Sequence, residues 1–419
     1  MALLESLEGK PLGMPFLEQV RVGLTIACLA MMGRHVEARS LFRQPVARCL
    51  RSDDEMALMG SVTMASASLL EGKVLEAERL CAPLLEQAEA LHGRRSVSAC
   101  SAAVVMAEAY YELDRIEDAR EALANRLDIL RFSAPVAMIG AALCHARLKN
   151  LQETPRAALE YLAEKEDHFC NLGLDRGVGS MLAEQLRIAL TCGDWGHAET
   201  LQARLDDLAR SHRGSTPCDA EIMTLAALSR ARLSLARRQP EAAMQALDIA
   251  HRYVDEFARG RWRVQVDLLR AFALASLERD VEARERLQAA LASGYRLGLV
   301  RTLLDEGEPF QAMLGGAGLD EESVLGAYGR SLLRRAPTTS ARTPVPALAS
   351  SRENQLMTRR ELEILDLLEQ SMSNKRIALA LNLSLQTVKW NLKNIFSKLG
   401  VSSRYDAIIA MRRQRERSS

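Results

Sequence analysis

The chain has 419 residues, 55 Lys and Arg against 54 Asp and Glu, a formal net charge of +1, and 48% hydrophobic content. That is ample for a large buried core, and with aromatics at only 4% the packing must fall to Ala and Leu. No apolar run approaches the roughly 18 residues of a membrane span. The start Met1-Ala-Leu-Leu-Glu5 also lacks a basic region followed by an apolar stretch, so neither insertion nor secretion is expected, and the location expected is cytoplasmic.

A regularity runs through the first 335 residues. Short breaks followed by an Ala recur at Gly33-Arg-His-Val-Glu-Ala38, Gly72-Lys-Val-Leu-Glu-Ala77, Asp114-Arg-Ile-Glu-Asp-Ala119 and Gly193-Asp-Trp-Gly-His-Ala198, with weaker copies ending at Ala158, Ala243 and Ala283. The successive spacings are 39, 42, 39, 40, 45 and 40. A period near 40 predicts stacked helix pairs, with the small Ala where two helices approach closely. In each unit a first helix, such as 97–113, ends at the break, and a second follows, such as Ile116 to about Leu130. Seven units reach from about 17 to 297, and 299–335 supplies further helices that cap the end.

The eight cysteines all lie between Cys28 and Cys218 without a Cys-x-x-Cys pair, and are expected to be small buried hydrophobes. Cys144 beside His145, and His168 two before Cys170, are fragments of a metal site at most. Adjacent helical residues diverge by about 100°, so no metal is expected. Many carboxylates fall at i, i+4 from basic residues, the pattern of a solvated helix face. No nucleophile, base and orienting group can be assembled, so no enzyme and no cofactor are expected. Trp195 and Trp262 read equally as core or break residues and as platforms for a sugar.

Residues 336–353 follow, with three prolines, many hydroxyls and no aromatic, the composition of a linker. The head, 354–419, reads as four short helices with no strand signal. Thr358 and Glu361 form a capping box for a first helix at about 359–370, with Ile364, Leu365 and Leu368 on one face. Ser373 caps a second helix, in which Ile377 and Leu381 face the same core. Asn382 and Leu383 make a turn, and Ser384 caps a third helix. Ser403 with Asp406 starts a fourth, carrying Ile408, Ile409 and Met411. The second and third form a helix-turn-helix pair.

At about 100° per residue, Val388, Leu392, Ile395, Phe396 and Leu399 share one stripe of the third helix. Gln386, Trp390, Lys393, Asn394 and Ser397 fall opposite, with Lys389 at the flank. A rod of about 22 Å fits the major groove, and its outward face offers amides and cations to base edges and phosphates. The helix start, with Ser384 and Thr387, suits a phosphate. From Met357 onward 12 basic residues face 6 acidic ones, so this stretch carries +6 and the remainder −5. A near-neutral whole hides a basic head, as phosphate contacts require. Arg412, Arg413, Arg415 and Arg417 supply four of the twelve, and a frayed, solvated terminus explains them equally well.

The run Met357 to Glu361, Ser373 to Ala378, Ser384 to Lys389 and Lys398 to Arg404 resembles the LuxR-type helix-turn-helix family over essentially all of 357–411. The units before it look like tetratricopeptide repeats. Array and head together resemble the C-terminal half of MalT-type regulators. The fold expected is therefore all-α, a TPR-like helical-repeat superhelix followed by a four-helix LuxR-type head. The resemblance implies that Lys389, Trp390 and Lys393 read the major groove, that Ser384 and Thr387 sit against the backbone, and that the fourth helix pairs two heads. Gln386, Asn394, Lys375, Arg376 and Arg404 complete the expected DNA contacts.

The resemblance further implies a transcription regulator, an activator, with double-stranded promoter DNA, RNA polymerase and a second copy of itself as partners. A small-molecule, peptide or protein effector would bind the array. An ATPase precedes the array in that family, yet no Gly-x-x-x-x-Gly-Lys-Ser/Thr occurs here: Gly9-Lys10 and Gly72-Lys73 both lack the first Gly. Three positions depart from the family: Ser371 stands for the usual Gly, Arg376 for Glu and Asn391 for His. They are the support for a second reading, an interaction scaffold whose specific DNA binding is weak or lost. Trp390 has an alternative role too, packing against the array or a second head when DNA is absent. A nucleotide-driven switch with an unseen site is the third reading.

Overall fold

The structure, a computed structural model, describes residues 14–212, 214, 216–320, 322–336, 359–369, 372, 374–381, 388, 391–392 and 395. Among the described residues every regular element is helical. The array consists of seven helix pairs: α1 (Pro15–Met31) with α2 (His35–Arg43), α3 (Glu55–Glu71) with α4 (Val74–His92), α5 (Val97–Glu112) with α6 (Ile116–Leu123), α7 (Pro135–Gln152) with α8 (Pro155–Asn171), α9 (Asp175–Thr191) with α10 (Trp195–Ser211), α11 (Pro217–Ala236) with α12 (Pro240–Glu256), and α13 (Gly260–Ser276) with α14 (Asp280–Leu297). Three shorter helices, α15 (Val300–Leu304), α16 (Glu308–Gly315) and α17 (Val324–Arg335), pack on α13 and α14.

The period in the sequence is a period of turns. All seven marker alanines, from Ala38 to Ala283, are buried, none more than 4% exposed. In six units the first helix ends on a left-handed residue: Gly33, Gly72, Asp114, Gly193, Arg238 or Glu278, with φ between 56° and 88°. The next residue sends its N–H back into the finished helix, as Lys73 does to the Ser68 carbonyl at 2.8 Å and Asp194 to that of Ala189 at 3.0 Å. Its own carbonyl then accepts from the marker alanine of the next helix, Ala77 to Lys73 at 3.0 Å and Ala198 to Asp194 at 3.1 Å. Each turn thus satisfies the end of one helix and the start of the next chiefly with backbone groups, and at Asp194 the side chain also accepts from the His197 amide at 3.1 Å. The fourth break works differently. Thr154 accepts from the Ala157 amide at 3.1 Å, and Pro155 opens α8.

Two expectations need correction. The second helix of the third unit stops at Leu123 instead of reaching about Leu130. Asn125 there takes a left-handed φ of 60°. Arg126 turns inward, 2% exposed, to donate to the Ala99 carbonyl at 3.1 Å and pair with Glu89. A buried charge anchored to the preceding unit outcompetes helix continuation. Of the cysteines, only Cys81, Cys100 and Cys144 are buried; Cys28 and Cys49 are half-buried, and Cys170, Cys192 and Cys218 are exposed near helix ends. The small thiol side chain fits the small-residue seams, but helix termini put it outside them.

The first helices of successive units form the inner wall. α3, α5, α7, α9, α11 and α13 each pack on the next, and α13 returns to α3, so the array closes on itself. Glycines permit the closure. A Cβ on Gly33 would lie 2.7 Å from the Phe257 backbone, and one on Gly72 would lie 2.9 Å from the Arg261 amide nitrogen. One on Gly260 would sit 2.3 Å from the Glu71 carbonyl oxygen. Arg259 rivets the same seam, donating to the carbonyls of Ala30 at 3.4 Å and Met31 at 3.0 Å.

Gly193 makes the same left-handed turn as Gly72, but its Cβ would meet only the Trp195 Nε1, at 4.0 Å. Gly193→Ala should therefore cost about 1 kcal/mol of backbone strain, and Gly72→Ala at least about 2 kcal/mol more, through lost closure. Urea unfolding measures both; equal costs would show that the seam contributes nothing to stability.

Candidate nucleic-acid interface and the charged lumen

The head contributes two helices to the description, α18 (Arg359–Glu369) and α19 (Asn374–Ala380), together with helical residues at 388, 391, 392 and 395. The expected faces meet in one core. Ile364, Leu365 and Leu368 from α18 pack with Ile377 of α19 and with Val388, Leu392 and Ile395, all at most 6% exposed. Leu381 is half-buried against them. Asn391, one of the family departures, is 5% exposed. The inward arc of the third helix therefore runs from Asn391 through Ile395 and Val388 to Leu392, about 100° wide.

Of the expected DNA contacts, Arg376 is exposed on α19. Lys375 belongs to the same helix, but its side chain lies outside the described residues. So do Ser384, Gln386, Thr387, Lys389, Trp390, Lys393, Asn394 and Arg404. The same holds for Ser371, Phe396, Leu399, the capping residues Thr358 and Ser373, the turn at Asn382 and Leu383, the fourth helix with its Ser403, and the linker from 337 on.

The array holds a second chemically distinctive region, which the sequence reading missed. The inner helices line a lumen that contains buried charges. Arg147 and Arg187 both grip Glu184, at 3.1 and 2.5 Å. Arg187 also donates to the Asp305 carbonyl at 3.0 Å. The Asp305 carboxylate takes the Tyr111 hydroxyl at 2.8 Å and Arg301 at 2.5 Å, and Arg301 lies 3.3 Å from Asp114. Glu112 accepts from the Thr302 amide and hydroxyl at 3.0 and 2.8 Å, with the Arg261 Nε 3.2 Å away. Pairs such as Arg301 with Asp305 are i, i+4 neighbours. In sequence they look like surface pairs, and the expectation of a solvated face is wrong for them. The usable signal was different: Glu184, Gln185 and Arg187 interrupt the otherwise apolar stretch from Met181 to Ile188.

Electrostatics divides these groups. Burial alone would raise the Glu184 and Asp305 pKa values. For Glu184 the facing Arg147 and Arg187, and for Asp305 the Arg301 and Arg187 guanidiniums, win and hold them below the ordinary carboxylate range. Glu108 is the exception. Burial pushes it up to about 7, against the pull of Arg261 and Arg147 and with a push from Glu112. No hydrogen bond or ion pair reaches its carboxylate among the described residues, and one oxygen occupies the space that a Cβ on Gly140 would need. Because its folded pKa is raised, the stability it lends is complete below its unfolded value and is lost as pH rises through about 7.

Glu108→Gln should therefore stabilise the protein by roughly 1–3 kcal/mol at pH 8.5, and the gain should vanish by about pH 5. Thermal unfolding across that pH range tests the sign: a gain that persists in acid would mean the effect is steric and not ionic.

Trp262 is half-buried against the α11–α13 core, and Trp195 stands 47% exposed at the head of α10. His145 stacks edge-on against Tyr161 at 4.9 Å while Cys144 points into the core. No described helix is long and apolar enough to cross a membrane.

Comparison with known proteins gives two family matches. Residues 16–317 match the MalT-like TPR region, and residues 355–411 match the bacterial regulatory proteins of the luxR family. The nitrate/nitrite response regulator protein NarP of Escherichia coli is 48% identical over 60 residues, covering 14% of this chain and 28% of that protein. The transcriptional regulatory protein ComA of Bacillus subtilis is 36% identical over 83 residues, covering 20% of this chain and 36% of its own length. The HTH-type transcriptional regulator AlkS of Pseudomonas putida is 25% identical over 223 residues, covering 52% of this chain and 24% of that protein. The chain thus aligns with only about a quarter to a third of the length of these relatives.

Proposed function

The chain belongs to the family of the MalT-like TPR region, and we propose that it is a sequence-specific DNA-binding transcription regulator, acting as an activator. In this reading the array, 1–335, senses an effector, the segment 336–353 tethers, and the head, 354–419, reads promoter DNA. The observation that carries the proposal is the head's core. With Val388, Asn391, Leu392 and Ile395 turned inward, the helical period assigns Gln386, Trp390, Lys393 and Asn394 to the opposite side and Lys389 to its flank. That side and its flank supply amides, an aromatic and two cations, the groups that recognise base edges and phosphates. The match to the luxR family over 355–411 supports the same assignment.

Lys389, Trp390 and Lys393 are proposed to enter the major groove, with Gln386 and Asn394 beside them. Ser384 and Thr387 meet the backbone at the helix start, and Lys375, Arg376 and Arg404 neutralise flanking phosphates. Two heads pair through the fourth helix on half-sites about one turn apart, and the bound dimer recruits RNA polymerase. Promoter DNA sets the location, the cytoplasm. Arg376, exposed on α19, is proposed to meet a phosphate in compensation for the family acid it replaces.

Selection and sequencing of bound genomic fragments would supply the operator. On it, Trp390→Ala and Lys393→Ala should each weaken specific binding by about 1–3 kcal/mol. Lys389→Ala should lower the salt slope by about one unit. Gel shifts at two salt concentrations read both effects. Retention that is only nonspecific and steeply salt-sensitive would assign the chain to the scaffold reading instead.

A further inference from the structure

A cavity of about 130 Å³, partly open to solvent, lies inside the ring where α3, α5, α7, α11 and α13 converge. Its apolar wall includes Leu69, Leu70, Val105 and Val136, and Trp262 contributes to the lining. Four charged side chains also line it: Glu108, Glu221, Arg259 and Arg261. Three of these are already engaged. Arg176 grips Glu221 at 2.8 Å, the Ala30 and Met31 carbonyls take Arg259, and Arg261 donates to the Thr302 hydroxyl at 3.1 Å beside Glu112. Only Glu108 brings a carboxylate to the cavity with no hydrogen bond or ion pair among the described residues.

A half-buried carboxylate in a largely apolar cavity with no fixed donor is disfavoured as a charge, and the group that relieves it is a cation or a strong N–H donor. An apolar cavity of about 150 Å³ accommodates benzene, so this one has room for about five to eight heavy atoms. We propose that the cavity binds a small organic monocation, an ammonium or amidinium head on a short apolar body, with the head on the Glu108 carboxylate and the body against Leu69, Val105 and Val136. Such a ligand touches α3, α5, α7 and α13 at once, so it bridges the seam at which the ring closes and stabilises the closed form by its binding free energy. This deepens the effector half of the proposed function. It concerns the array alone, so it stands or falls separately from DNA recognition by the head.

The test uses the full chain and three probes built on one ring: cyclopentylamine, cyclopentanol and cyclopentanecarboxylate, each at about 20 mM and pH 8. The amine should raise the melting temperature by about 2 °C or more, with a much smaller response to the alcohol and none to the acid. In Glu108→Gln, which removes the charge and keeps the shape, the amine response should disappear, and calorimetry should show at least about a tenfold loss of affinity. An alcohol that matches the amine, an acid that exceeds it, an amine response that survives Glu108→Gln, or no response to any of the three would overturn the assignment.

Discussion

Helix α13 has to come back to α3, and the charges of the lumen find partners only when it does. Glu112 on α5 depends on Thr302, 190 positions further along the chain, and Tyr111 on Asp305, 194 positions along. An open solenoid is a sum of neighbouring units, each contributing its own stability. Closure changes that arithmetic, because the last helices satisfy donors and acceptors belonging to the first third. Removing one partner from such a buried network strands the other and costs far more than the pair contributes when complete. The turns between helices α12 and α13 and around Gly33 and Gly72 then matter less for their own conformation than for what they let approach.

The network is better understood as a device for register than as a source of net stability. Buried ion pairs often do no better than apolar residues of the same volume. Tyr111, Arg147, Glu184, Arg187 and Asp305 instead define one alignment of α5, α7, α9 and the end of α15 among those that a wall of Ala and Leu would tolerate. Glu108 belongs to the same region but not to the same logic, since among the described residues no hydrogen bond or ion pair reaches its carboxylate. Its neighbours Arg261 and Arg147 are committed to other carboxylates, which is why the site has polarity to spare.

Much of this was legible in the sequence where the physics is local. The marker alanines announced the seven units because the turn that buries each one is built from five or six consecutive residues. The stripe of Val388, Leu392 and Ile395 was readable for the same reason: one helix, one period. What escaped was set by distance along the chain. Arg301 and Asp305 have the spacing of a surface pair, and only the returning helix wall makes them internal. Arg126 ended a helix early to reach Glu89 on α4, and no local propensity records that pull. The groove-facing positions of the head were named from the period and from a family likeness, and for most of them the period and that likeness remain the whole argument.

Closure also bears on how the molecule is made. Synthesis runs at about 5–20 residues per second, so the roughly 190 residues between Glu112 and Thr302 take about ten to forty seconds to follow. During that interval the early inner helices stand at the ribosome with acids and guanidiniums facing an unfinished wall. Nascent chains of this kind have to be kept in solution by their own outer helices, or by chaperones, until the far side of the ring arrives.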